Sequence, residues 1–169
     1  MKSPCCRPFQ AAEGRAVFDI RLLNSPFDPN GAIEALSLRT PGAGGIASFI
    51  GKVRVTGGVE ALELTHYEPL TLPGMVDLAE RADARFDLMG LAMLHRTGRL
   101  DPGDPIVCVC AAARHRRDAI GAVDFCMDHL KSAAWFWKRE LRTNDSGSAW
   151  HWIEPRGEDH EDLARWKPL

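Results

Sequence analysis

Apolar residues in this chain come in runs of strand length, broken by Gly, Pro, Asn or Asp, with two longer stretches of helical spacing between them. That alternation is the strongest constraint on the fold. A strand-length run buries its face in a sheet, and a helical stripe buries its face against another layer. Val17 to Leu23 alternates and predicts a strand. Asn24-Ser25-Pro26 ends it. Asp28-Pro29 then sets a capping carboxylate before a proline at a first helical position, predicting a short helix that carries Ile33, Leu36 and Leu38. Pro41 to Gly45 turns into Ile46–Ile50, read as a buried strand ending at Gly51-Lys52-Val53-Arg54. Gly57-Gly58 reads as a hairpin signal, with Val59 to Tyr67 as the return strand.

Leu72 to Asp87 has Met75, Leu78, Ala79, Ala82 and Phe86 at spacings of three and four, which predicts a helix. Strands follow at Leu91–Thr97 and Ile106–Ala112, joined by the turn Asp101-Pro102-Gly103-Asp104. The longest helix is expected from His115 to Lys131, burying Ala119, Ile120, Val123, Cys126, Met127 and Leu130. Ala134 to Leu141 is extended and aromatic, and Trp150 to Glu154 is a last strand. Helices interleaved with hairpins define an α+β class with a mainly antiparallel sheet. The organisation is an N-terminal tail (1–14) without periodicity, one domain (15–154) and a charged C-terminal tail (155–169).

A chain of 169 residues with 45% hydrophobic and 26% charged content is long enough for one cored domain. A net charge of −2 gives no surplus for general nucleic-acid binding, and no apolar stretch nears the roughly 20 residues of a membrane span. The five Cys, without an export signal before them, read as reduced thiols of a cytoplasmic protein. The basic residues are 16 Arg and only 5 Lys. A lysine in such a chain is a candidate for chemistry that arginine cannot perform, because only lysine gives up its proton readily.

Several groups stand out. Cys108 and Cys110, two apart on a strand, are either core or half of a metal or thiol site; no second pair at zinc spacing accompanies them, and no metal is expected. Arg114-His115-Arg116-Arg117 opens the longest helix, where free N–H groups and the dipole favour an anion. The same residues also read as a solvated basic turn balanced by Asp118 and Asp124. Lys131 suits the C-terminal end of its helix by charge alone. Lys138 follows Trp135-Phe136-Trp137 and precedes Arg139. An apolar wall and a like charge there would favour its neutral, nucleophilic amine.

Taken in order, FIGKVR (49–54), HY (66–67), HRTGRLDPGD (95–104), ARHRRDA (113–119), DHLKSAAWFWKRE (128–140) and WHWIE (150–154) are far more specific than any one group. In these segments the chain resembles the large, catalytic subunits of molybdopterin synthase. The resemblance implies an α/β hammerhead-type fold, no cofactor, and a homodimer of large subunits within a heterotetramer. It implies a small ubiquitin-like sulfur-carrier partner with a C-terminal Gly-Gly thiocarboxylate. The substrate it implies is cyclic pyranopterin monophosphate, which gains two sulfurs to become the dithiolene of molybdopterin. Matched position by position, it puts substrate binding on Lys52, Val53, Arg54, His115, Arg116, Lys131, Lys138, Arg139 and Glu140, with Lys131 and Lys138 catalytic. Trp135 stands where the family usually has Pro, and the connection after Arg54 is short. The competing expectations are a catalytically silent partner-binding subunit of the same fold and a thiol-redox or metal-binding protein.

Overall fold

A four-stranded sheet flanked by helices on both faces forms the larger part of the computed structural model, which describes residues 16–55, 58–132, 135–144, 147–154 and 157–166. The expected N-terminal tail, with Cys5 and Cys6, lies outside the described residues. The sheet has the order β1-β4-β6-β2, built from β1 (Val17–Leu23), β2 (Gly45–Lys52), β4 (Leu88–Arg96) and β6 (Pro105–Ala113). Only β1 and β4 pair in parallel; the remaining ladders are antiparallel, in keeping with the α+β reading.

Alternation along β4 and β6 makes two cores from one sheet. Leu91, Met93, Val107, Val109 and Ala111 face α2 (Glu68–Phe86) and α3 (Arg116–Ser132). Ala92, Leu94, Cys108, Cys110 and Ala112 face α1 (Pro29–Arg39), which contributes Ala32 and Leu36. Asp28 caps α1 as expected, accepting from the N–H groups of Asn30 and Gly31 at 3.0 and 3.2 Å. Of the apolar residues that α1 carries, Leu36 is buried and Leu38 is exposed.

The second sheet has the order β5-β3-β7-β8, from β3 (Val59–His66), β5 (Gly98–Leu100), β7 (Phe136–Asn144) and β8 (Gly147–Ile153). Its core is small: Val53, Leu62, Leu64 and Leu100. The three-residue β5 has no counterpart in the sequence reading.

Two strand expectations are corrected. The apolar run Ile46–Ile50 is an edge strand rather than a buried one, and Ile46, Phe49 and Ile50 remain 37–41% exposed. An apolar run reads the same whether a sheet covers one edge or both. The chain from β2 to β3 is not a hairpin but a crossing between sheets: β2 pairs with β6, and β3 pairs with β5 and β7. Gly58 has φ +70° because it must approach β7, where its carbonyl accepts from Thr143 N–H at 3.0 Å and a Cβ would come within 2.9 Å of the Thr143 oxygen.

The buried face of α3 is also rotated from expectation. Ile120 is exposed and Phe125 is buried, because α2 and the C-terminal segment pack on a side that the sheet does not reach. From residue 155 onward, where a tail was expected, the chain carries α4 (Gly157–Ala164), and Arg165 and Trp166 beyond it bond to α3. No helix among the described residues is long and apolar enough to cross a membrane.

Candidate active site

The ends of the elements decide which predicted residues can meet. β6 leads directly into α3, and the helix returns antiparallel across β6 and β2. The end of α3 carrying Lys131 therefore lies over the start of β6 and the end of β2. Lys52 pairs with Pro105 there. Val53 is pinned by two backbone bonds to the turn before β6: its N–H donates to the Asp104 carbonyl and its carbonyl accepts from Gly103 N–H, both at 2.9 Å. Arg54 follows, exposed.

Lys138 reaches the same end from the second sheet. It pairs with Leu64 on one side and Ile153 on the other. Leu64 belongs to the cluster that includes Val53, so Lys138 and the Lys52–Arg54 segment share a neighbourhood. Side chains at even positions of β7 share one face, which holds Phe136, Lys138, Glu140 and Arg142. The Phe136 ring stacks on His95 of β4, centroids 3.9 Å apart and planes at 16°. Glu140, Arg142, His151, Trp152, Ile153 and Glu154 line a shallow groove of about 540 Å³ along β7 and β8.

Odd positions of β7 face the other way, and this divides the expected aromatic wall. Trp135 turns onto α2, where a Cβ on Gly74 would come within 2.6 Å of the indole, and the Trp135 carbonyl accepts from Thr71 Oγ1 at 3.3 Å. Phe136 meets His95. Trp137 is half exposed. Arg139 lies on the face opposite Lys138, paired with Glu63 and set against the rings of Trp150 (4.6 Å) and Trp152 (5.7 Å). Its charge is thus met by a carboxylate. Glu140 keeps to the Lys138 face and is engaged by Arg142 Nε at 2.7 Å.

His115 and Arg116 stand apart from this group. Both are exposed, and the His115 carbonyl accepts from the N–H groups of Asp118 and Ala119 at 3.1 and 3.3 Å, so the two residues do open α3. Lys131 is fifteen residues further along the same helix. At about 1.5 Å per residue the two ends are about 22 Å apart, a span that one pterin phosphate does not bridge. Within one chain the predicted residues form two clusters, not one pocket.

Burial explains two further groups. His95 is 4% exposed, and desolvation lowers its pKa from 6.5 to about 4. Its Nδ1 lies 2.8 Å from the Arg96 carbonyl, which can only accept, so Nδ1 carries the proton and the ring is neutral. Cys108 and Cys110 do share a face, with sulfurs 3.4 Å apart, and both are fully buried in the core beneath α1. Burial pushes the Cys126 thiol up to about 12. Among the described residues no group of three or more His, Cys, Asp or Glu could hold a metal ion.

The fold places this chain among two-sheet α+β proteins with basic clusters at the ends of a long helix. The chain belongs to the MoaE family: the model of that family, described as MoaE protein, matches residues 22–133. A molybdopterin synthase catalytic subunit from Ralstonia nicotianae is 39% identical over 150 residues, covering 87% of this chain and 83% of that protein. The Burkholderia ambifaria MoaE protein superposes with a TM-score of 0.74 at 39% identity, covering 89% of this chain and 98% of that one. Molybdopterin synthase from Staphylococcus aureus gives a TM-score of 0.65 at 26% identity, covering 77% and 94%. Membership makes the chain a transferase of molybdenum cofactor biosynthesis.

Sequence reasoning passed over two features beside the site. His95 was left as a core histidine, and nothing in the alternation of β4 marks its stacking partner. Asp128 drew no reading of its own, although it lies two residues from buried Cys126 and Leu130.

Proposed function

We propose that this chain takes sulfur from the C-terminal thiocarboxylate of a small ubiquitin-like subunit and places it on cyclic pyranopterin monophosphate, twice in succession, to build the dithiolene of molybdopterin. What supports this reading is the topology, in which the end of β2 (Lys52) and the start of β6 pair, the end of α3 (Lys131) follows from β6, and β7 carries Lys138 beside Leu64 of the Val53 cluster. The partner's Gly-Gly tail, thin enough to lie in a groove, runs along β7 and β8 toward Lys138. In each round the thiocarboxylate sulfur bonds to a pterin carbon as that carbon gives up its oxygen substituent, water adds to the acyl carbonyl, and the C–S bond to the partner breaks. Sulfur stays on the pterin and a carboxylate stays on the partner. A lysine ammonium steadies the oxyanion formed by water addition, and a lysine amine takes the proton that the water gives up. The sulfur arrives on the partner, so buried Cys108, Cys110 and Cys126 have no part in it.

Because His115 and Arg116 lie at the far end of α3, they serve the pterin phosphate of a site completed by a second large subunit. Two large and two small subunits then make the functional assembly. The expected domain, 15–154, works together with α4 and the Arg165–Trp166 segment packed on α3, in the reducing cytoplasm. The test combines purified chain, thiocarboxylated partner and cyclic pterin phosphate, with dithiolene as the readout. Lys131→Ala and Lys138→Ala each remove most product formation while the fold is kept. Mixing and reassociating Lys131→Ala with His115→Ala restores activity if the clusters meet between copies. Mixtures as inactive as their components would refute the shared site, and a folded Lys131→Ala chain with more than half the parental rate would refute the lysine roles.

A further inference from the structure

Among the described residues Asp128 is the only buried carboxylate. It lies on α3 beside Phe125 and Cys126, one turn before Lys131. A carboxylate in such a setting needs donors or loses its charge. Its donors come from two adjacent residues at the far end of the chain. Oδ2 accepts from Arg165 Nε at 3.0 Å, from Arg165 Nη2 at 2.6 Å and from Trp166 Nε1 at 2.7 Å. Arg165 Nη2 also reaches Asp124, one turn earlier on α3, at 2.9 Å. The Trp166 ring meets Phe125 edge-on at 5.3 Å and Phe86 of α2 at 6.1 Å, and the Arg85 guanidinium lies 5.5 Å from its centre.

The contact joins residues 38 positions apart, and the loop it closes contains both Lys131 and Lys138. From Asp128 the chain runs through the last turn of α3, along β7 and β8, through α4, and back to α3. A helix end frays unless something holds it, and a closed segment samples fewer conformations than an open one. We propose that Asp128, Arg165 and Trp166 are positioning residues for sulfur transfer: their clasp fixes the last turn of α3 and tethers the segment that carries the two lysines. This rests on the roles given above to Lys131 and Lys138.

The test uses the full chain with its thiocarboxylated partner and cyclic pyranopterin monophosphate. The Arg165 side chain is 47% exposed, so Arg165→Ala leaves the core in place. Trp166→Phe keeps an aromatic ring against Phe125 and removes the N–H donor to Asp128. Misplacing a reacting group costs rate steeply, so Arg165→Ala lowers kcat by about tenfold or more. KM for the pterin stays within about twofold, because the phosphate cluster at the other end of α3 is untouched. Amide exchange at residues 129–132 quickens by about tenfold, while residues 118–123 keep their parental rates. Arg165→Lys recovers part of kcat. In a Lys131→Ala background, followed over long incubations, Arg165→Ala causes no further loss. Parental kcat in the Arg165→Ala, Trp166→Phe double variant, or a raised KM with kcat unchanged, overturns the proposal while leaving the lysine roles intact. Full activity in Lys131→Ala and Lys138→Ala overturns both together.

Discussion

The neutral imidazole of His95 makes the fold sensitive to mild acid by an amount that can be worked out. Its pKa is lowered from 6.5 to about 4, first by desolvation, against which the bond to the Arg96 carbonyl acts only partly. Lys138 and His66 add like charge, and Phe136 covers the ring from β7. A group that binds its proton less readily in the folded state than in the unfolded one contributes stability in full above the unfolded value. That stability drains away as pH falls toward the folded value. The window is therefore pH 6.5 down to about 4. At pH 5 the unfolded chain has taken up nearly a full proton at this site and the native chain almost none, which costs about 2 kcal/mol. The complete shift corresponds to about 3.4 kcal/mol. The test is urea unfolding at pH 7.5 and pH 5 for the parent and for His95→Phe. The variant keeps the stack on Phe136 but gives up the hydrogen bond to Arg96, which lowers its stability by about 1 kcal/mol at pH 7.5. At pH 5 the order reverses, because the parent loses stability that the variant does not. His129, also lowered by burial, titrates in both proteins and cancels in the comparison. A difference between parent and variant that is the same at both pH values would refute the assignment of His95 as a neutral, desolvated imidazole.

Three further outcomes follow from the same structure. His115→Ala and Arg116→Ala weaken binding of the cyclic pterin phosphate more than binding of the small subunit; calorimetry with unchanged substrate affinity in both would remove the anion site. The triple variant Cys108→Ala, Cys110→Ala, Cys126→Ala loses about 1 kcal/mol of stability per site and keeps its activity per folded molecule at low temperature. Complete inactivity of that folded triple variant would bring thiol chemistry back. Gly74→Ala drives a methyl group into the Trp135 indole and costs about 1–3 kcal/mol by thermal or urea unfolding; Gly74→Ala combined with Trp135→Pro recovers part of that loss, and a neutral Gly74→Ala would show that the indole does not sit against α2.

What the sequence discloses here is local. Asp28-Pro29 starts α1 where it should, since a cap and a proline act within one turn. The shared face of Cys108 and Cys110 follows from the period of a strand and nothing else. The motifs of the catalytic subunits, spread from residue 49 to 154, carry the family. What the sequence conceals depends on partners far along the chain. Ile46–Ile50 has the composition of a covered strand, yet among the described residues only β6 pairs with it. Gly57-Gly58 has the composition of a hairpin, yet the chain there changes sheets. Phe125 outranks Ile120 as a core residue because Phe86 and Trp166 come to it from positions 39 residues before and 41 after. Trp135, Phe136 and Trp137 are neighbours in sequence and go to three different surroundings: Trp135 lies in the turn before β7, and Phe136 and Trp137 take opposite faces of the strand.

The arrangement of α3 gives the Arg-rich, Lys-poor composition a physical reading. One helix offers two kinds of site at its two ends. Its N-terminus, with free N–H groups and positive dipole, suits a permanently anionic phosphate, and the residues placed there are His115, Arg116 and Arg117, donors that bind without having to react. Its C-terminus carries the negative end of the dipole, which stabilises an ammonium, and the residue placed there is Lys131. Lys138 joins it from β7, and Lys52 from β2. Three of the chain's five lysines thus gather where sulfur would be transferred, and arginines hold the position where charge alone suffices. In the site proposed above, about 22 Å of helix separates the two roles, so the proposal has the phosphate-binding end of one copy serve the lysine end of another.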